Sequence, residues 1–421
     1  MSRPIVAPRG TRDLLPEEAA SWSAVEAVAR ELSSRYAFER IETPLFERIE
    51  LFARGLGESS DAVEKEMFRV GGAAGSEEEH ADWALRPEPT AGIVRAYIEH
   101  GMHVRPGPLR LSMIGPMFRY DRPQAGRYRQ FTQWDVEAIG DPGPMVDAEL
   151  IELGHRFYAL CGVRDVVASV NSIGDGVCRP AYRAALVEYF SAHAERLSHD
   201  SRRRLQINPL RVLDDRDLDP ELAAGAPRSL DHLCDACRAH FEVVHGLLDA
   251  LGVRYELDHR LVRGLDYYTR TTFEFYVAGR RGQQQALGGG GRYDGLVEVL
   301  GGQPTPGIGF GIGIDRTVLA ANEQGVVAAA ESALVAVVSA VEALEPRMRV
   351  AQQLRDAGLR VRADGSARKL GRQLESAVKI GARWAVIVQD EAAATVVLRD
   401  LAASEQRELP LSDVAAACAG G

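Results

Sequence analysis

Side chains able to bind a charged, aromatic ligand are concentrated at positions 115–140, which read as two strands joined by a polar loop. Side chains alternate between the faces of a strand, so one face of the second strand carries a ring, an amide and two carboxylates. These residues are Phe131, Gln133, Asp135 and Glu137. Arg119, on the first strand, can lie on the same face. The face could therefore hold an anion, a flat base and a cation, although an ordinary amphipathic hairpin with a solvated face shows the same pattern.

Two glycine-rich segments add room for a ligand and one further guanidinium. Residues 288–291 are four consecutive glycines followed by Arg292 and Tyr293, and residues 307–316 place small side chains on a strand that leads into a helix. Glycine lets the backbone approach a flat ligand closely, and Arg316 can reach the phosphates of such a ligand. A flexible turn and close helix–strand packing are the alternatives. Neither segment matches a Walker loop or a dinucleotide-binding fingerprint.

Two other segments combine polar side chains with a constrained backbone. Glu88 lies between two prolines, and Thr90 is expected to cap the helix that follows. An exposed acid ahead of a helix is the alternative for Glu88. Arg263 belongs to an Arg-Gly turn, and Tyr267 and Tyr268 are unusually polar for the start of a buried strand.

The elements that must position these residues predict an α+β protein with more than one domain. The predicted strands and helices divide the chain into a first domain over residues 1–170 and 255–322, with a helical insertion over 171–254. A linker is expected at 323–331. Strands and helices then alternate over 332–421, which predicts a separate small α/β domain.

Composition limits the class of protein. The 421 residues are 46% hydrophobic, which is enough for two or three cored domains, and the net charge is −10. No apolar run long enough for a membrane span is present, and the first residues resemble no signal peptide, so a cytoplasmic protein is expected. Residues 360–383 hold seven basic and two acidic residues. Such a local basic surface suits a polyanion, although a solvated helix face has the same composition.

The five cysteines predict neither a disulfide framework nor a metal site. They are odd in number and scattered, which indicates reduced thiols. Cys234 and Cys237 form a CxxC pair, but no second pair follows at a suitable spacing and the segment reads as helix. No structural zinc is therefore expected.

Six segments in this order resemble the bacterial histidyl-tRNA synthetase family, which belongs to the class II aminoacyl-tRNA synthetases. They are RGTRD, LRPEPTAG, GPMFRYDRPQAGRYRQF, LVRGLDYYTRTTFE, GGGGRYDGL and GIGFGIGIDR. The resemblance covers essentially the whole chain. It implies a class II catalytic antiparallel sheet flanked by helices, an insertion over the tRNA acceptor stem and a C-terminal anticodon-binding domain. It also implies a homodimer whose interface includes residues 38–44.

The resemblance implies that ATP activates L-histidine, giving histidyl-adenylate and pyrophosphate, and that the histidyl group then passes to the 3′ end of tRNA(His). It implies that Arg119 and Arg263 contact the α-phosphate, that Arg316 contacts the distal phosphates, and that Phe131 stacks on adenine. Mg²⁺ is expected with the ATP phosphates. The remaining implied contacts are Glu88, Thr90 and Gln133 at the histidine amine and carboxylate, Glu137, Tyr268 and Tyr293 at the imidazole, Tyr267 on the same wall, and Arg122, Gln124 and Arg127 at the acceptor end of tRNA.

Some positions depart from the family's commoner residues, notably Pro89 and Asp315. They alter no matched catalytic group. The alternative function is a non-catalytic paralogue, the regulatory subunit of ATP phosphoribosyltransferase. That paralogue usually lacks the RGLDYY segment and the C-terminal domain, and both are present here.

Overall fold

The computed structural model describes residues 4–57, 60, 63, 65–72, 82–123, 126–215, 217–280, 285–326 and 333–419. Residues 73–81, residues 327–331 of the predicted linker, and Gln124 lie outside the described residues. The chain forms two compact units, residues 1–328 and 329–421. None of the helices in the described ranges is both long and apolar enough to cross a membrane.

The first unit is built on two sheets. In chain order its strands are β1 (Glu39–Arg40), β2 (Phe46–Arg48), β3 (Arg69–Val70), β4 (Trp83–Leu85), β5 (Leu109–Phe118), β6 (Gln130–Ile139), β7 (Val166–Ser172), β8 (Tyr255–Leu257), β9 (Thr269–Val277), β10 (Gly288–Arg292) and β11 (Gly307–Gly313). Among the described residues, eight strands form the large sheet in the order β1-β5-β6-β11-β10-β9-β7-β8. The six inner strands are antiparallel, and β1 and β8 join the edges in parallel.

Helices cover the sheet and form the insertion. They are α1 (Pro16–Arg35), α2 (Ile49–Leu56), α3 (Thr90–Glu99), α4 (Pro144–Leu160), α5 (Arg179–Ala192), α6 (His199–Ile207), α7 (Pro220–Gly225), α8 (Asp235–Ala250), α9 (Leu296–Val299) and α10 (Ile314–Glu323). Short 3₁₀ turns lie at Met102–Val104, Ala194–Arg196, Pro209–Val212 and Ser229–His232. The chain between β7 and β8 is helical, and its apolar side chains pack in part against Val262 and Tyr268.

The predicted hairpin is present, and its two faces differ as the alternation of side chains predicts. Trp134 and Val136 on β6 are fully buried in the main core. The Trp134 indole Nε1 donates to the hydroxyl oxygens of Ser33 at 3.0 Å and Ser112 at 3.1 Å, which satisfies its polar atom inside the core. The opposite face is not solvated, because Asp135 and Glu137 are only 2% and 1% exposed. The alternative of an ordinary solvated hairpin is therefore wrong.

A buried charge network fixes the end of the glycine strand. Arg292 and Asp147 are both fully buried, and the Arg292 Nε donates to Asp147 Oδ1 at 3.0 Å. The other Arg292 nitrogens donate to the Asp141 and Gly143 carbonyl oxygens, each at 2.8 Å. Burial alone would raise the pKa of Asp147, but the hydrogen bond from His240 and the charge of Arg292 hold that pKa below its usual range. The network holds the backbone directly before Tyr293.

We expect Arg292→Met to lower the free energy of unfolding by about 3–5 kcal/mol, because Asp147 would keep a buried charge without its main partner. The matched control is Arg254→Met, which removes an exposed ion pair with Asp165 at 3.0 Å and should cost below about 1 kcal/mol. Urea denaturation of both variants measures the difference. Equal losses would contradict the assigned role of Arg292.

The second unit is a mixed α/β domain. Its elements are β12 (Leu334–Ser339), α11 (Leu344–Asp356), β13 (Arg360–Ala363), α12 (Leu370–Lys379), β14 (Trp384–Val388), β15 (Thr395–Asp400), β16 (Gln406–Pro410), a 3₁₀ turn (Leu411–Asp413) and α13 (Val414–Ala419). The sheet order is β13-β12-β14-β15-β16. The first six elements were predicted, whereas β16 and α13 were missed. All seven basic residues of the 360–383 segment are exposed, and three of them form ion pairs, with Asp364, Glu375 and Asp400. The basic surface therefore stays a prediction.

Candidate active site

A cavity of about 280 Å³ lies over the polar face of the large sheet. It collects residues that are far apart along the chain, from the N-terminal side of α3 to the start of α10. Twelve of the predicted site residues line it: Glu88, Thr90, Arg119, Arg127, Phe131, Gln133, Glu137, Arg263, Tyr267, Tyr268, Tyr293 and Arg316. The three predicted phosphate-binding arginines and the predicted imidazole-binding residues therefore share one cavity.

Glu137 is the centre of the acidic part of the cavity. The Thr90 hydroxyl donates to its Oε1 at 2.6 Å, and the Tyr293 hydroxyl donates to its Oε2 at 2.5 Å. Burial raises the pKa of Glu137 to about 8, even though both hydrogen bonds act to lower it. The carboxyl group is thus held in one orientation, and a ligand that donates a hydrogen bond or carries positive charge would favour its ionised form.

Glu88 closes the same wall from the start of α3. The backbone N–H groups of Thr90 and Ala91 donate to its carboxylate at 2.9 and 3.0 Å. Glu88 therefore caps the helix, and the prediction that the Thr90 side chain does so is wrong. The Thr90 hydroxyl is instead directed to Glu137. Glu88 is 4% exposed, so the alternative of an exposed acid is also wrong.

Asp135 makes the pocket more acidic than the family resemblance implies. It lies on the same face of β6 as Glu137, and burial, followed by the charges of Glu137 and Glu88, raises its pKa well above the usual value. Within the described residues, its Oδ2 and the Oε1 of Gln133 are buried without a hydrogen-bond partner. Buried acceptors without donors favour a ligand that brings N–H groups, such as an ammonium.

A row of glycines on β11 provides the space above these acids. In the β6/β11 ladder Gly309 lies opposite Glu137, Gly311 opposite Asp135 and Gly313 opposite Gln133. A Cβ at position 309 would lie 1.8 Å from Glu137 Oε2, and one at 311 would lie 2.6 Å from Asp135 Oδ1. The alternation of glycines in GIGFGIG therefore keeps one face of the strand clear for buried polar groups.

We expect Gly309→Ala to lower strongly the histidine-dependent activity that the family resemblance implies, because the new methyl group must displace the Glu137 carboxylate. The control is Gly295→Ala, where a Cβ meets nothing within 4 Å and the backbone φ of −96° suits alanine. Activity should fall by at least about 100-fold in the first variant and change less than about twofold in the second. Circular dichroism and activity assays on both variants test this, and an active Gly309→Ala enzyme would contradict the packing argument.

The arginines form the cationic part of the cavity. The Arg119 Nε donates to the Pro87 carbonyl at 2.8 Å, and its guanidinium lies 5.4 Å from the centre of the Phe131 ring. The Arg316 Nε donates to the Gly126 carbonyl at 3.2 Å, and its Nη1 donates to the Ala286 carbonyl. Burial lowers the pKa of Arg316, and the charges of Arg127 and Arg119 lower it further. A polyanion in this part of the cavity would relieve that repulsion.

Arg263 is held by a partner that sequence reasoning missed. Its Nη1 forms an ion pair with Glu274 on β9, and its guanidinium lies 5.6 Å from the centre of the Tyr268 ring. Glu274 also accepts a hydrogen bond from the Tyr276 hydroxyl. The available signal was one acid within the apolar run TTFEFYV, because a carboxylate inside a buried strand needs a cation. Glu274 positions Arg263 at the cavity wall.

The structure does not bring the three predicted tRNA-contacting residues together as one described cluster. Arg127 lines the cavity and pairs with Asp121. Arg122 is exposed and does not line the cavity. Gln124 lies outside the described residues, so the predicted contacts of this loop with tRNA stay predictions.

The antiparallel sheet, with a cavity lined by arginines and buried acids, and the C-terminal α/β unit define a class II aminoacyl-tRNA synthetase. Residues 10–317 match the family described as histidyl-tRNA synthetase, and residues 331–419 match the anticodon binding domain. The chain belongs to the histidyl-tRNA synthetase family.

Relatives and solved structures agree over nearly the whole chain. The histidine–tRNA ligase of Pelotomaculum thermopropionicum is 45% identical over 412 residues, which is 97% of this chain and 96% of the relative. The histidine–tRNA ligase of Geobacillus kaustophilus is 45% identical over 415 residues, again 97% and 96%. The crystal structure of apo histidyl-tRNA synthetase from S. aureus superposes with a TM-score of 0.80 at 34% identity, covering 98% of this chain and 99% of that one.

Proposed function

We propose that the protein is a histidine–tRNA ligase, which activates L-histidine with ATP and then transfers the histidyl group to tRNA(His). The observation that carries this proposal is that one cavity combines Glu137, fixed by two hydroxyl groups, with three arginines from distant parts of the chain. A carboxylate and phenols can hold an imidazole, and the arginines can hold a triphosphate beside it.

In the first proposed step the histidine carboxylate attacks the α-phosphorus of ATP, a new P–O bond forms, and the bond to pyrophosphate breaks. Arg119 and Arg263 would neutralise charge that develops on the α-phosphate, while Arg316 would hold the leaving phosphates. Phe131, already packed beside the Arg119 guanidinium, would stack on adenine. Positioning and charge neutralisation, rather than a protein nucleophile, would supply the rate enhancement.

Mg²⁺ is proposed to accompany the β- and γ-phosphates, as a general feature of nucleotide chemistry. Glu274 beside Arg263 is an acidic side chain of the cavity that fits a cation bound to the phosphates. When present, the ion would neutralise phosphate charge in addition to the arginines.

Recognition of histidine is proposed to use both parts of the acidic pocket. Glu137, Tyr268 and Tyr293 would contact the imidazole, and Tyr267 would line the same wall. Glu88, Thr90 and Gln133 would contact the amine and carboxylate, and the unpaired acceptors of Gln133 and Asp135 suit the α-amine. A site that satisfies donors and acceptors of its substrate rejects apolar amino acids strongly, because they leave its buried groups unpaired.

Transfer to tRNA is proposed to use the loop between β5 and β6, whose Arg127 also lines the cavity, and a surface of the second unit. Arg122, Gln124 and Arg127 would approach the acceptor end, and the exposed basic side chains of residues 360–383 would contribute to anticodon binding. We also propose a homodimer with residues 38–44 at its interface. Leu45 and Phe46, directly after that segment, are 45% and 47% exposed, so they offer adjacent apolar side chains to such an interface. A cytoplasmic location follows from a role in translation.

The regulatory paralogue of ATP phosphoribosyltransferase is not favoured. The nearly full-length relatives are histidine–tRNA ligases, and the C-terminal domain is present. A solved structure from Bacillus halodurans, described as an ATP phosphoribosyltransferase regulatory subunit/histidyl-tRNA synthetase, is only 22% identical, so it supports the shared fold alone.

The deciding experiment is ATP–pyrophosphate exchange with each of the amino acids in turn, followed by aminoacylation of tRNA(His). We expect exchange with histidine only, and a histidyl-tRNA product. Exchange with a different amino acid would contradict the assignment of the pocket. No exchange with any amino acid, in a folded protein that binds ATP, would favour the non-catalytic paralogue.

A further inference from the structure

Three thiols and one carboxylate converge where the insertion leaves the catalytic sheet. The Sγ atoms of Cys178, Cys234 and Cys237 and a carboxylate oxygen of Asp175 all lie within 4.8 Å of one another. The CxxC pair was a weak indication by itself, but the fold brings a third thiol and an acid to it from residues 175–178. Among the described residues this is the one group of three or more potential ligands that close together.

We propose that Asp175, Cys178, Cys234 and Cys237 bind one structural Zn²⁺, contrary to the expectation from the sequence. Three thiolates and a carboxylate are ligands that zinc accepts in a tetrahedral site, and a closed set of four protein ligands is typical of a structural site. Zn–S bonds of about 2.3 Å require ligand atoms about 3.8 Å apart. Small side-chain rotations would bring the four atoms from their present separations to that geometry.

The backbone around the site presents the ligands in two similar turns. Asp175-x-x-Cys178 precedes α5, and Cys234-x-x-Cys237 spans the start of α8, so Cys178 and Cys234 both lie at the position before a helix. Helix N-termini favour thiolate over thiol, because their N–H groups and dipoles stabilise negative charge. Gly174 has a φ of +69°, and a Cβ there would lie 2.5 Å from Cys178 Sγ, so a side chain at this position would obstruct the cluster.

Asp175 is oriented as a ligand would be. Its Oδ1 lies 3.6 Å from Cys178 Sγ and 4.0 Å from Cys234 Sγ, and it accepts from the Val177 N–H at 3.0 Å. Its Oδ2 is paired with Arg270 at 3.4 Å. A second group that holds the outer oxygen of a ligating carboxylate fixes its orientation and offsets the excess negative charge of the site.

The cluster lies where a bound metal would connect the insertion to the catalytic sheet. Residue 174 accepts a hydrogen bond from the Arg270 N–H at 2.8 Å, at the point where β7 ends and β9 begins. Arg179, next to Cys178, donates to the Tyr268 carbonyl, and Tyr268 lines the cavity. Zinc would therefore tie the first turn of the insertion and the start of α8 to the strand that follows Tyr267 and Tyr268.

The test is metal analysis of the full chain purified without chelator, with a thiol titration of the denatured protein. We expect about one zinc per chain and five titratable thiols after the metal is removed. Adding Co²⁺ to the metal-free protein should produce thiolate-to-cobalt charge-transfer absorption and strong visible bands of tetrahedral Co²⁺. Because these measurements use the wild-type protein, they do not depend on a variant that folds.

Variants then assign the ligands. Cys237→Ser should reduce zinc affinity at least about 100-fold, and Asp175→Asn about 10-fold. Cys418→Ser, in the second unit, is the control and should retain one zinc. A wild-type protein with far less than one zinc, five free thiols and no cobalt spectrum would overturn the proposal. Three free thiols, which would indicate a disulfide within the cluster, would overturn it as well.

Discussion

Replacing Arg263 by alanine is expected to slow histidine-dependent ATP–pyrophosphate exchange by about 10²–10³-fold, while the Kd for ATP changes by less than about threefold. The reason is that the guanidinium is aimed into the cavity by Glu274 and would strengthen its contact as charge develops on the α-phosphate. An interaction made mainly in the transition state affects rate more than ground-state binding. Exchange kinetics and equilibrium ATP binding on the same preparation measure both quantities.

The complication in Arg263→Ala is that Glu274 loses its partner inside the protein, which could lower stability. The double variant Arg263→Ala/Glu274→Gln removes the stranded charge and is the matched control. We expect the double variant to recover thermal stability without recovering exchange. Equal losses of exchange rate and ATP affinity would refute the proposed role of Arg263, and so would restored exchange in the double variant.

Glu137→Gln is expected to lower histidine activation by about 10²–10⁴-fold, because the amide cannot supply the negative charge that the pocket provides. Gln is close in size, and its one oxygen can accept from either Thr90 or Tyr293 while its NH₂ group donates to the hydroxyl oxygen of the other, so the fold should persist. The KM for histidine should rise strongly, whereas the affinity for ATP alone should be unchanged. Normal histidine activation by a folded Glu137→Gln protein would remove Glu137 from the proposed imidazole site.

Glu137→Gln should also change the free energy of unfolding, and the direction of that change with pH can be predicted. Burial raises the pKa of Glu137 to about 8 in the folded protein, above the ordinary value of 4.5. The folded state therefore holds a proton that the unfolded state releases, and this contribution to stability is complete below about pH 4.5 and is lost as pH rises to about 8. Glu137→Gln cannot ionise, so without ligand it should become more stable than wild type by about 3–5 kcal/mol at pH 8.

Urea denaturation of Glu137→Gln and wild type at pH 5 and pH 8 tests whether the stability difference between them grows with pH. The advantage of Glu137→Gln over the wild type should be small at pH 5 and larger at pH 8. Glu50→Gln is the control, because Glu50 is an exposed helix residue paired with Arg54, and it should show little change between the two pH values. An advantage that shrinks with rising pH would mean that Glu137 is ionised in the free protein.

Local sequence was enough for the parts of the site in which one strand repeats a pattern. The period of two along β6 placed Gln133, Asp135 and Glu137 on one face, and the alternate glycines of β11 indicated space. Both inferences depend on the geometry of a single strand, which holds whatever the strand packs against. The family resemblance was also visible in the sequence, because it depends on six motifs and their order along the chain. It does not depend on any contact between distant residues.

Contacts between distant segments could not be read in this way. Thr90 was expected to cap its helix, but Glu88 does so, and the Thr90 hydroxyl is directed to a carboxylate 47 positions later in the chain. Glu274 was overlooked because nothing in the sequence of its strand indicates an ion pair with Arg263. The CxxC pair was set aside because the spacing of residues along the chain indicated no further ligands. The fold brings two further potential ligands, Asp175 and Cys178, next to the pair.

By itself, then, the amino-acid sequence determined the central hairpin with its polar face, the first six strands and helices of the C-terminal unit, and the family to which the chain is similar. Periodicity and motif order can be seen along the chain itself, so recognising them requires no knowledge of how the chain packs. The tertiary structure alone decided that Asp135 and Glu137 are buried together, and that three arginines surround the space beside them. Burial and the mutual repulsion of charges arise from atoms brought together across the chain, and these set the protonation of the pocket.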